Sequence, residues 1–311
     1  MELRQLRYFL AIAEHGNMSR AAKALYVAQS ALSHQIAQLE HELDTTLFHR
    51  MPRGVELTET GHIFLAHAAA VIRQLDEAKA SVHGTLGQPK GRVNVGLPTS
   101  MCNALAVPLI HHAKESFPGI SLELTEAASG DLAYMLKSGF IHLAVLFDDG
   151  EVGEFDTTPL AKERLYLIAR ENDENRNFGP TVTLEQALHL PLFLASPKQG
   201  VRRIVELTAK RHGMPPPNVI GDINSVSIMR STLLVGLGYT LLPPMPFKQE
   251  LEQKLLKAWP IREPCLYRHV MIGALKGVPL TPATRAILQL ARQVARQLSL
   301  SGEWLETSPM E

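Results

Sequence analysis

The sequence predicts an α/β protein that begins with a small helix-rich domain, continues through a long linker helix and ends in a two-lobed α/β domain. In residues 1–58, apolar residues recur at helical spacing within short segments, and a predicted hairpin with Gly54 at its turn follows. Residues 59–89 keep apolar residues at spacings of three and four. From Gly91 onward, short apolar strands alternate with helices. With 311 residues, the chain suits about two or three domains.

Residues 18–40 predict two short helices joined by a tight turn. The apolar stripe predicted for the second helix consists of Ala31, Leu32, Ile36 and Leu39. Its other face carries Gln29, Ser30, Ser33, His34, Gln35 and Gln38. Amides and hydroxyls can donate and accept hydrogen bonds at base edges and phosphates, so this helix is predicted to enter a DNA groove. Ser19 and either Gln29 or Ser30 are the predicted N-caps of the two helices.

The flanking segments decide between DNA binding and ordinary packing, which is the commoner role of a short Ala-rich helix pair. An amphipathic helix with Leu6 and Phe9 precedes the pair, and residues 50–58 predict a strand, a Gly turn and a second strand. Three helices and such a hairpin make a winged helix-turn-helix, predicted over residues 1–58. Arg53, at the tip of the hairpin, is predicted to enter the flanking minor groove.

Four motifs in this region carry a resemblance to a known family. They are L-x-x-L-x-x-F from Leu3, S-x-A-A-x-x-L from Ser19, A-Q-S-A-L-S-x-Q-I-x-x-L-E from Ala28, and L-F-x-R-x-x-R-G-V-x-L-T from Leu47, with Gly61 following. In this order they resemble the LysR-type transcriptional regulators. Ala31 departs from the Pro that is frequent in the family, and Thr60 from the more usual Ala. Residues 15–27 and 67–74 are most similar to the nitrogen assimilation control subgroup.

The resemblance implies an organisation for the rest of the chain. The segment 59–89 would be the linker helix through which two copies dimerise, in a homotetramer built as a dimer of dimers. Residues 90–300 would form an effector domain similar to periplasmic binding proteins, and the implied partners are double-stranded DNA, a small-molecule effector and, as a candidate, RNA polymerase. The strand order predicts lobe I at about 91–162 and 268–300, lobe II at about 163–267, and a C-terminal tail at 301–311. Parallel sheets covered by helices on both faces are expected in these lobes.

Charge and cysteine content favour a cytoplasmic protein that binds DNA through a few placed contacts. The formal net charge is zero, and residues 1–60 contain six Lys and Arg against seven Asp and Glu. Affinity should therefore rest on specific contacts and on the avidity of a dimer. Cys102 and Cys265 stand far apart, which argues against a disulfide framework and a zinc site. Neither a secretory signal nor a membrane span is expected.

Hydroxyl residues follow three of the predicted strands, where ligands collect in open α/β sheets. They are Thr99 and Ser100 after the strand predicted at residues 92–97, Ser129 after the strand predicted at residues 120–125, and Ser196 before the helix that begins at Gly200. Phe147 and Leu194, at strand ends, are expected to supply apolar wall. Such a set of donors favours a small anion, in particular a carboxylate. The alternative for each Ser or Thr is that it only caps its helix, because capping uses the same geometry.

The catalytic alternatives find little support in the sequence. Gly236-Leu237-Gly238 begins like a dinucleotide-binding motif, but the third Gly is missing and a strand follows. No nucleophile elbow, P-loop or zinc-protease motif occurs, so we expect no catalytic residue, no cofactor and no metal. The remaining alternative is a metabolic enzyme or ligand-binding module whose N-terminal helices form an interaction domain.

Overall fold

The computed structural model describes residues 1–51, 54–83, 88–148, 152–171, 178–197 and 200–310. The chain divides into two compact units, one comprising Met1–Gly87 with Lys137–Phe140 and the other Gln88–Leu136 with Ile141–Glu311. The first is mainly helical and the second is α/β, which confirms the predicted fold class. None of the described helices is long and apolar enough to cross a membrane.

The first unit is a three-helix domain with a hairpin and a long helix. Its elements are α1 (Leu3–His15), α2 (Met18–Ala24), α3 (Gln29–Glu42), β1 (Phe48–Met51), β2 (Gly54–Leu57) and α4 (Glu59–His83). Leu6, Phe9 and Ile12 of α1 pack with Leu32 and Ile36 of α3 in one apolar core. The Phe9 ring contacts those of Phe48 and Phe64 at centroid distances of 5.1 and 5.0 Å. The hairpin and α4 therefore share a core with the helix pair.

Three local predictions for the helix pair were wrong. Ala31 is exposed, because the buried stripe runs through Leu32, Ile36 and Leu39 at i, i+4 and i+7, and Ala31 lies one residue off that line. The cap of α2 is Asn17, whose side-chain oxygen accepts hydrogen bonds from the backbone N–H groups of Ser19 and Arg20 at 2.9 and 3.1 Å. The residue at the N-cap of α3 is Ala28, which offers no side-chain cap.

An acidic side chain of α3 fixes the start of the hairpin. Glu40 Oε1 accepts hydrogen bonds from the backbone N–H groups of Leu47 and Phe48 at 2.7 and 3.2 Å. Its negative charge is thereby engaged at the base of the hairpin, away from the first turns of α3. The strands pair antiparallel, with Phe48 opposite Leu57.

The second unit contains the elements of two lobes. In chain order they are β3 (Gly91–Pro98), α5 (Thr99–Ser116), β4 (Ile120–Ala127), α6 (Ser129–Lys137), β5 (Leu143–Phe147), β6 (Phe155–Arg164), β7 (Tyr166–Arg170), β8 (Val182–Thr183), α7 (Leu184–Leu188), β9 (Leu192–Leu194), α8 (Gly200–Arg211), β10 (Val219–Asp222), α9 (Val226–Leu234), β11 (Thr240–Leu242), α10 (Lys248–Glu252), β12 (Leu256–Arg262), β13 (Tyr267–Leu275), α11 (Pro282–Ser301) and β14 (Thr307–Pro309). Lobe I is built on a sheet of order β14-β6-β13-β5-β3-β4, and lobe II on a sheet of order β11-β7-β12-β8 with a β9-β10 pair.

The sheets are mixed, which corrects the expectation of parallel sheets. In lobe I, β3 runs parallel to β4 and β5, whereas β13 is antiparallel to β5 and β6. In lobe II, β7 is antiparallel to both β11 and β12. The antiparallel pairing follows from the path of the chain, because β6 and β13 are the strands through which it leaves lobe I and returns to it.

The segment expected to be a C-terminal tail is part of lobe I. Trp304 is 1% exposed within the core of that lobe, and β14 pairs antiparallel with β6, placing Thr307 opposite Glu163. A large buried aromatic side chain and a strand register hold residues 304–309 in place.

Two short crossings connect the lobes. The chain passes from β6 to β7 at Leu165 and from β12 back to β13 at residues 263–266. The backbone N–H of Leu165 donates to the carbonyl of Leu266 at 2.9 Å, so the two crossings lie side by side. Two adjacent single-strand connections form a narrow joint between the lobes.

Candidate DNA-binding surface and effector cleft

The polar side chains predicted to contact DNA lie on the outer side of α3. Gln29, Ser30 and His34 are exposed, whereas Ser33 and Gln35 are half-buried. The helix is oriented by its apolar stripe, since Leu32, Ile36 and Leu39 are at most 2% exposed. Arg53, the sixth predicted DNA contact, lies outside the described residues.

Three of the polar side chains of α3 form a small network. Gln35 Nε2 donates to Gln38 Oε1 at 3.0 Å, and Gln38 Nε2 is hydrogen-bonded to His34 Nε2 at 3.1 Å. These contacts hold the side chains on one side of the helix. Each of these hydrogen bonds could be exchanged for one to a base edge or a phosphate. Binding DNA would then leave none of these polar groups buried without a hydrogen-bond partner.

A cavity of about 80 Å³ lies between the two lobes of the second unit. Its walls come from the carboxyl ends of β3, β4, β5, β10 and β11 and from the first turns of α5, α6, α8 and α9. The lining residues used below are Thr99, Ser100, Ser129, Phe147, Asn224, Ser225 and Arg268. This is the place where open α/β sheets bind ligands, because strand ends and helix N-termini converge there.

The structure brings together four of the five residues predicted for the effector. Thr99, Ser100, Ser129 and Phe147 all line the cavity. Ser196 is not among the lining residues: its backbone N–H donates to Asn224 Oδ1 at 2.9 Å, and Asn224 lines the cavity instead. Leu194, expected as apolar wall, is buried in the core of lobe II.

The start of α5 bears on whether Thr99 and Ser100 serve only as caps. The N-cap of α5 is Pro98, which makes no side-chain capping hydrogen bond, so the first N–H groups of the helix have no such partner. By contrast, Ser225 caps α9 by accepting from the backbone N–H of Ile228 at 3.4 Å. The free end of α5 therefore faces the cavity with donors available to a guest.

Arg268 is the lining residue that sequence reasoning missed most completely. It lies on β13 with a side chain that is only 1% exposed. Arg268 Nε donates to Glu163 Oε2, and Arg268 Nη2 donates to Ser100 Oγ at 3.1 Å. The centre of its guanidinium lies 4.1 Å from the centroid of the Phe147 ring, within the range of a cation–π contact. The sequence predicted the strand only from His269 onward, and the partner of Arg268, Glu163, is 105 positions away in the chain.

Arginine only donates hydrogen bonds, and this determines what Ser100 can do. Because Ser100 Oγ accepts from Arg268, its own hydroxyl hydrogen is free to point elsewhere. Ser100 lines the cavity, so it presents a donor to any guest there.

The comparison with known proteins identifies both parts of the chain. The model of the bacterial regulatory helix-turn-helix proteins of the lysR family matches residues 3–62, and that of the LysR substrate binding domain matches residues 86–296. The chain belongs to the LysR family. This confirms the family predicted from the N-terminal motifs and the function class, that of a DNA-binding transcriptional regulator with an effector domain.

Individual LysR-family relatives agree with this assignment. The nitrogen assimilation regulatory protein nac of Klebsiella aerogenes is 34% identical over 245 residues, which are 78% of each chain. This is consistent with the predicted subgroup. The transcriptional dual regulator GltC of Bacillus subtilis is 31% identical over 308 residues, covering 96% of this chain and 99% of GltC.

Two solved structures share the fold. A full-length OxyR variant from Pseudomonas aeruginosa superimposes with a TM-score of 0.71 at 22% identity, covering 100% of this chain and 99% of OxyR. Full-length CbnR in complex with its target DNA gives a TM-score of 0.67 at 23% identity, covering 94% of this chain and 100% of CbnR.

Proposed function

We propose that this LysR-family regulator reads double-stranded DNA through the outer face of α3 and responds to a small carboxylate held in the cleft. The observation that carries the choice of effector is the set of inward donors, namely the Ser100 hydroxyl, whose oxygen accepts from the buried Arg268, and the uncapped start of α5. A carboxylate accepts several hydrogen bonds at once and donates none when ionised, which matches this set.

The size of the cleft limits the guest. A cavity of about 80 Å³ is smaller than the cavity of ~150 Å³ that is known to take benzene in an engineered protein. The guest is therefore a compact acid, or one that binds with the lobes further apart. Phe147 would contact its apolar part, while Thr99 and Ser129 would contact its polar part.

DNA recognition is proposed to use Gln29, Ser30, Ser33, His34 and Gln35, with Arg53 added from the sequence alone. The solved CbnR structure, which shares the fold, is a complex with that protein's target DNA and supports a DNA-binding role for this architecture. The linker helix α4 would pair two copies, in a dimer of dimers. An effector that binds better to the closed lobes would favour closure, and in such an assembly closure would alter the spacing or bend of the bound DNA.

We propose binding without turnover in the cleft. Ser100 is hydrogen-bonded to a charged side chain there, and that neighbour is a cation which donates to it. A nucleophilic serine needs a base that accepts its proton, whereas Arg268 occupies the oxygen and cannot accept one.

The DNA-binding part is tested with the double variant Ser33→Ala and His34→Ala. The probe is a duplex selected from a random library by the wild-type protein, and we expect at least a tenfold weaker affinity in a gel-shift titration. His41→Ala is the matched control, since it removes an exposed imidazole from the last turn of the same helix. Wild-type affinity in the double variant would refute the assigned face.

The effector part is tested by thermal denaturation with sodium acetate, pyruvate, succinate and benzoate, using sodium chloride as the salt control. At least one acid should raise the melting temperature of the wild-type protein, because a ligand that binds the folded state stabilises it by mass action. Ser100→Ala should remove most of that increase. If none of the acids stabilises the wild-type protein beyond chloride, a carboxylate effector is excluded for this size class.

A further inference from the structure

A chain of buried polar contacts links the C-terminal segment to the effector cleft. Trp304 Nε1 donates to Glu163 Oε1 at 2.8 Å, Arg268 Nε donates to Glu163 Oε2, and Arg268 Nη2 donates to Ser100 Oγ at 3.1 Å. The side chains of Glu163 and Arg268 are 0% and 1% exposed. The chain therefore runs through the interior of lobe I and ends at a hydroxyl that lines the cavity.

The geometry of Arg268 differs from the usual arrangement of an arginine with a carboxylate. Such pairs commonly form two parallel hydrogen bonds, with Nε and Nη2 each donating to one oxygen. Here Nε donates to Glu163, but Nη2 donates to Ser100 instead of the second carboxylate oxygen. That second oxygen is taken by the indole N–H of Trp304. The indole N–H therefore orients the Glu163 carboxylate so that Oε1 faces Trp304 and Oε2 meets Arg268 Nε, while Nη2 reaches Ser100.

We propose that Trp304 is a positioning residue of the effector site, acting through Glu163 and Arg268 on the Ser100 hydroxyl. This rests on the proposed carboxylate effector. With Trp304 in place, Arg268 donates to Ser100 and the serine hydrogen points at the guest. Without the indole N–H, Glu163 turns to accept both Arg268 donors, and Ser100 loses the contact that fixes its orientation. Trp304 therefore sets how tightly the cleft binds a carboxylate.

The chain offers a matched control in its only other tryptophan. Trp259 lies in the core of lobe II and is 5% exposed, and its indole N–H has no hydrogen-bond partner within the described part of the chain. Trp304→Phe and Trp259→Phe therefore remove the same atoms from two buried sites. The first substitution removes the hydrogen bond to Glu163, and the second removes none.

The first experiment measures the affinity of the full-length protein for whichever of acetate, pyruvate, succinate and benzoate stabilises the wild-type protein. We expect the dissociation constant to rise at least fivefold in Trp304→Phe and to stay within twofold of wild type in Trp259→Phe. Equal affinities in Trp304→Phe and wild type would overturn the proposal. If the wild-type protein binds none of the acids, the proposed effector class itself has failed, and the proposal falls with it.

A spectroscopic measurement keeps the proposal falsifiable if Trp304→Phe folds poorly. In Trp259→Phe, Trp304 is the single remaining tryptophan, since the chain has two. A carboxylate bound at Ser100 should perturb Arg268 and Glu163 and change the Trp304 emission, with the same midpoint as the binding titration. Adding Ser100→Ala to this variant should abolish the change. If a saturating concentration of the carboxylate left the Trp304 emission unchanged, Trp304 would have only a structural role.

Discussion

Glu163 and Arg268 bring opposite charges into the interior of lobe I, and their charges cancel there. Their side chains are fully buried, so each would carry a large desolvation cost without the other. Because the pair is neutral, Arg268 brings little net charge to the cleft, and its Nη2 donates to the Ser100 hydroxyl that lines it. Selectivity for the proposed carboxylate would therefore depend on the placement of N–H and O–H groups, which added salt screens much less than it screens exposed charges.

The two cysteines are expected to differ in reactivity. Burial, reinforced by the nearby Glu126, raises the pKa of Cys102 from 9.0 to about 12, whereas Cys265 is exposed. A higher pKa means less thiolate, so the thiolate fraction of Cys102 at pH 8 should fall about a thousandfold. We expect iodoacetamide to label one thiol per native chain and two in urea, as counted by mass spectrometry.

Cys265→Ser is the control for this prediction and should leave the native chain unlabelled at pH 8. Labelling of Cys102 in that variant at the rate of an exposed thiol would contradict the assignment. The labelling rate of Cys102 should rise with pH, because each added pH unit below its pKa increases the thiolate fraction about tenfold.

At the scale of elements, the entry into α4 depends on a close backbone approach. A Cβ atom added to Gly61 would lie 2.2 Å from the carbonyl oxygen of Leu47, which is backbone and cannot move aside. Gly→Ala inside a helix usually stabilises by about 1 kcal/mol. Gly61→Ala should instead destabilise the protein by roughly 2 kcal/mol or more in a urea titration, as overpacking does.

Gly130→Ala, in the first turn of α6, is the matched control because an added Cβ meets no described atom within 4 Å. It should be neutral or stabilising. If both substitutions stabilised the protein, the close contact between Gly61 and Leu47 would be wrong.

Helix α4 also carries apolar side chains that its own unit does not cover. Phe64, Ala68 and Ile72 pack into the core of the first unit, whereas Ile63 and Val71 are 57% and 41% exposed. If α4 pairs two copies, Ile63→Glu with Val71→Glu should convert dimers or tetramers into smaller species, because two buried carboxylates would face each other. Light scattering after gel filtration measures the mass.

Leu237→Glu is the control for this experiment, since it charges an apolar residue that is 63% exposed and lies outside α4. Its mass should equal that of the wild-type protein. An unchanged mass in the α4 variant would remove this helix as the dimerisation element.

The elements that could be predicted from the sequence are those with a regular local pattern. The polar face of α3 and the hydroxyls after β3 and β4 follow from periodicity and from the rule that ligands collect at strand ends. Strand β6 was missed because its sequence FDTTPLAKER is largely polar and contains Pro159, which lies beside an irregularity in the pairing with β13. Arg268 and Trp304 were missed because their contacts with Glu163 span 105 and 141 positions, and no local pattern reports such pairing.

At the scale of the whole second unit, the two crossings at Leu165 and residues 263–266 would act as the hinge of the proposed closure. They lie side by side through the hydrogen bond from Leu165 to Leu266, and the cavity takes its lining from both lobes. A guest that touches Ser100 in lobe I and Ser225 in lobe II would hold the lobes together across this joint. Binding should therefore reduce the local opening that exposes backbone amides to exchange, in lobe I and in lobe II together.

Hydrogen exchange of the full-length protein, with and without a stabilising carboxylate from the panel, tests this closure. At about 100 times the dissociation constant, a ligand stabilises the bound state by about 2.7 kcal/mol, so amides that exchange through lobe opening should slow by up to about a hundredfold. Slowing is expected at residues 97–101 and 223–229, one segment from each lobe, and at both crossings. The buried stripe of α3 should exchange as before, because the guest does not touch it. Slowing confined to residues 97–101 would mean that the acid binds lobe I alone, and regulation by closure would then have no structural basis.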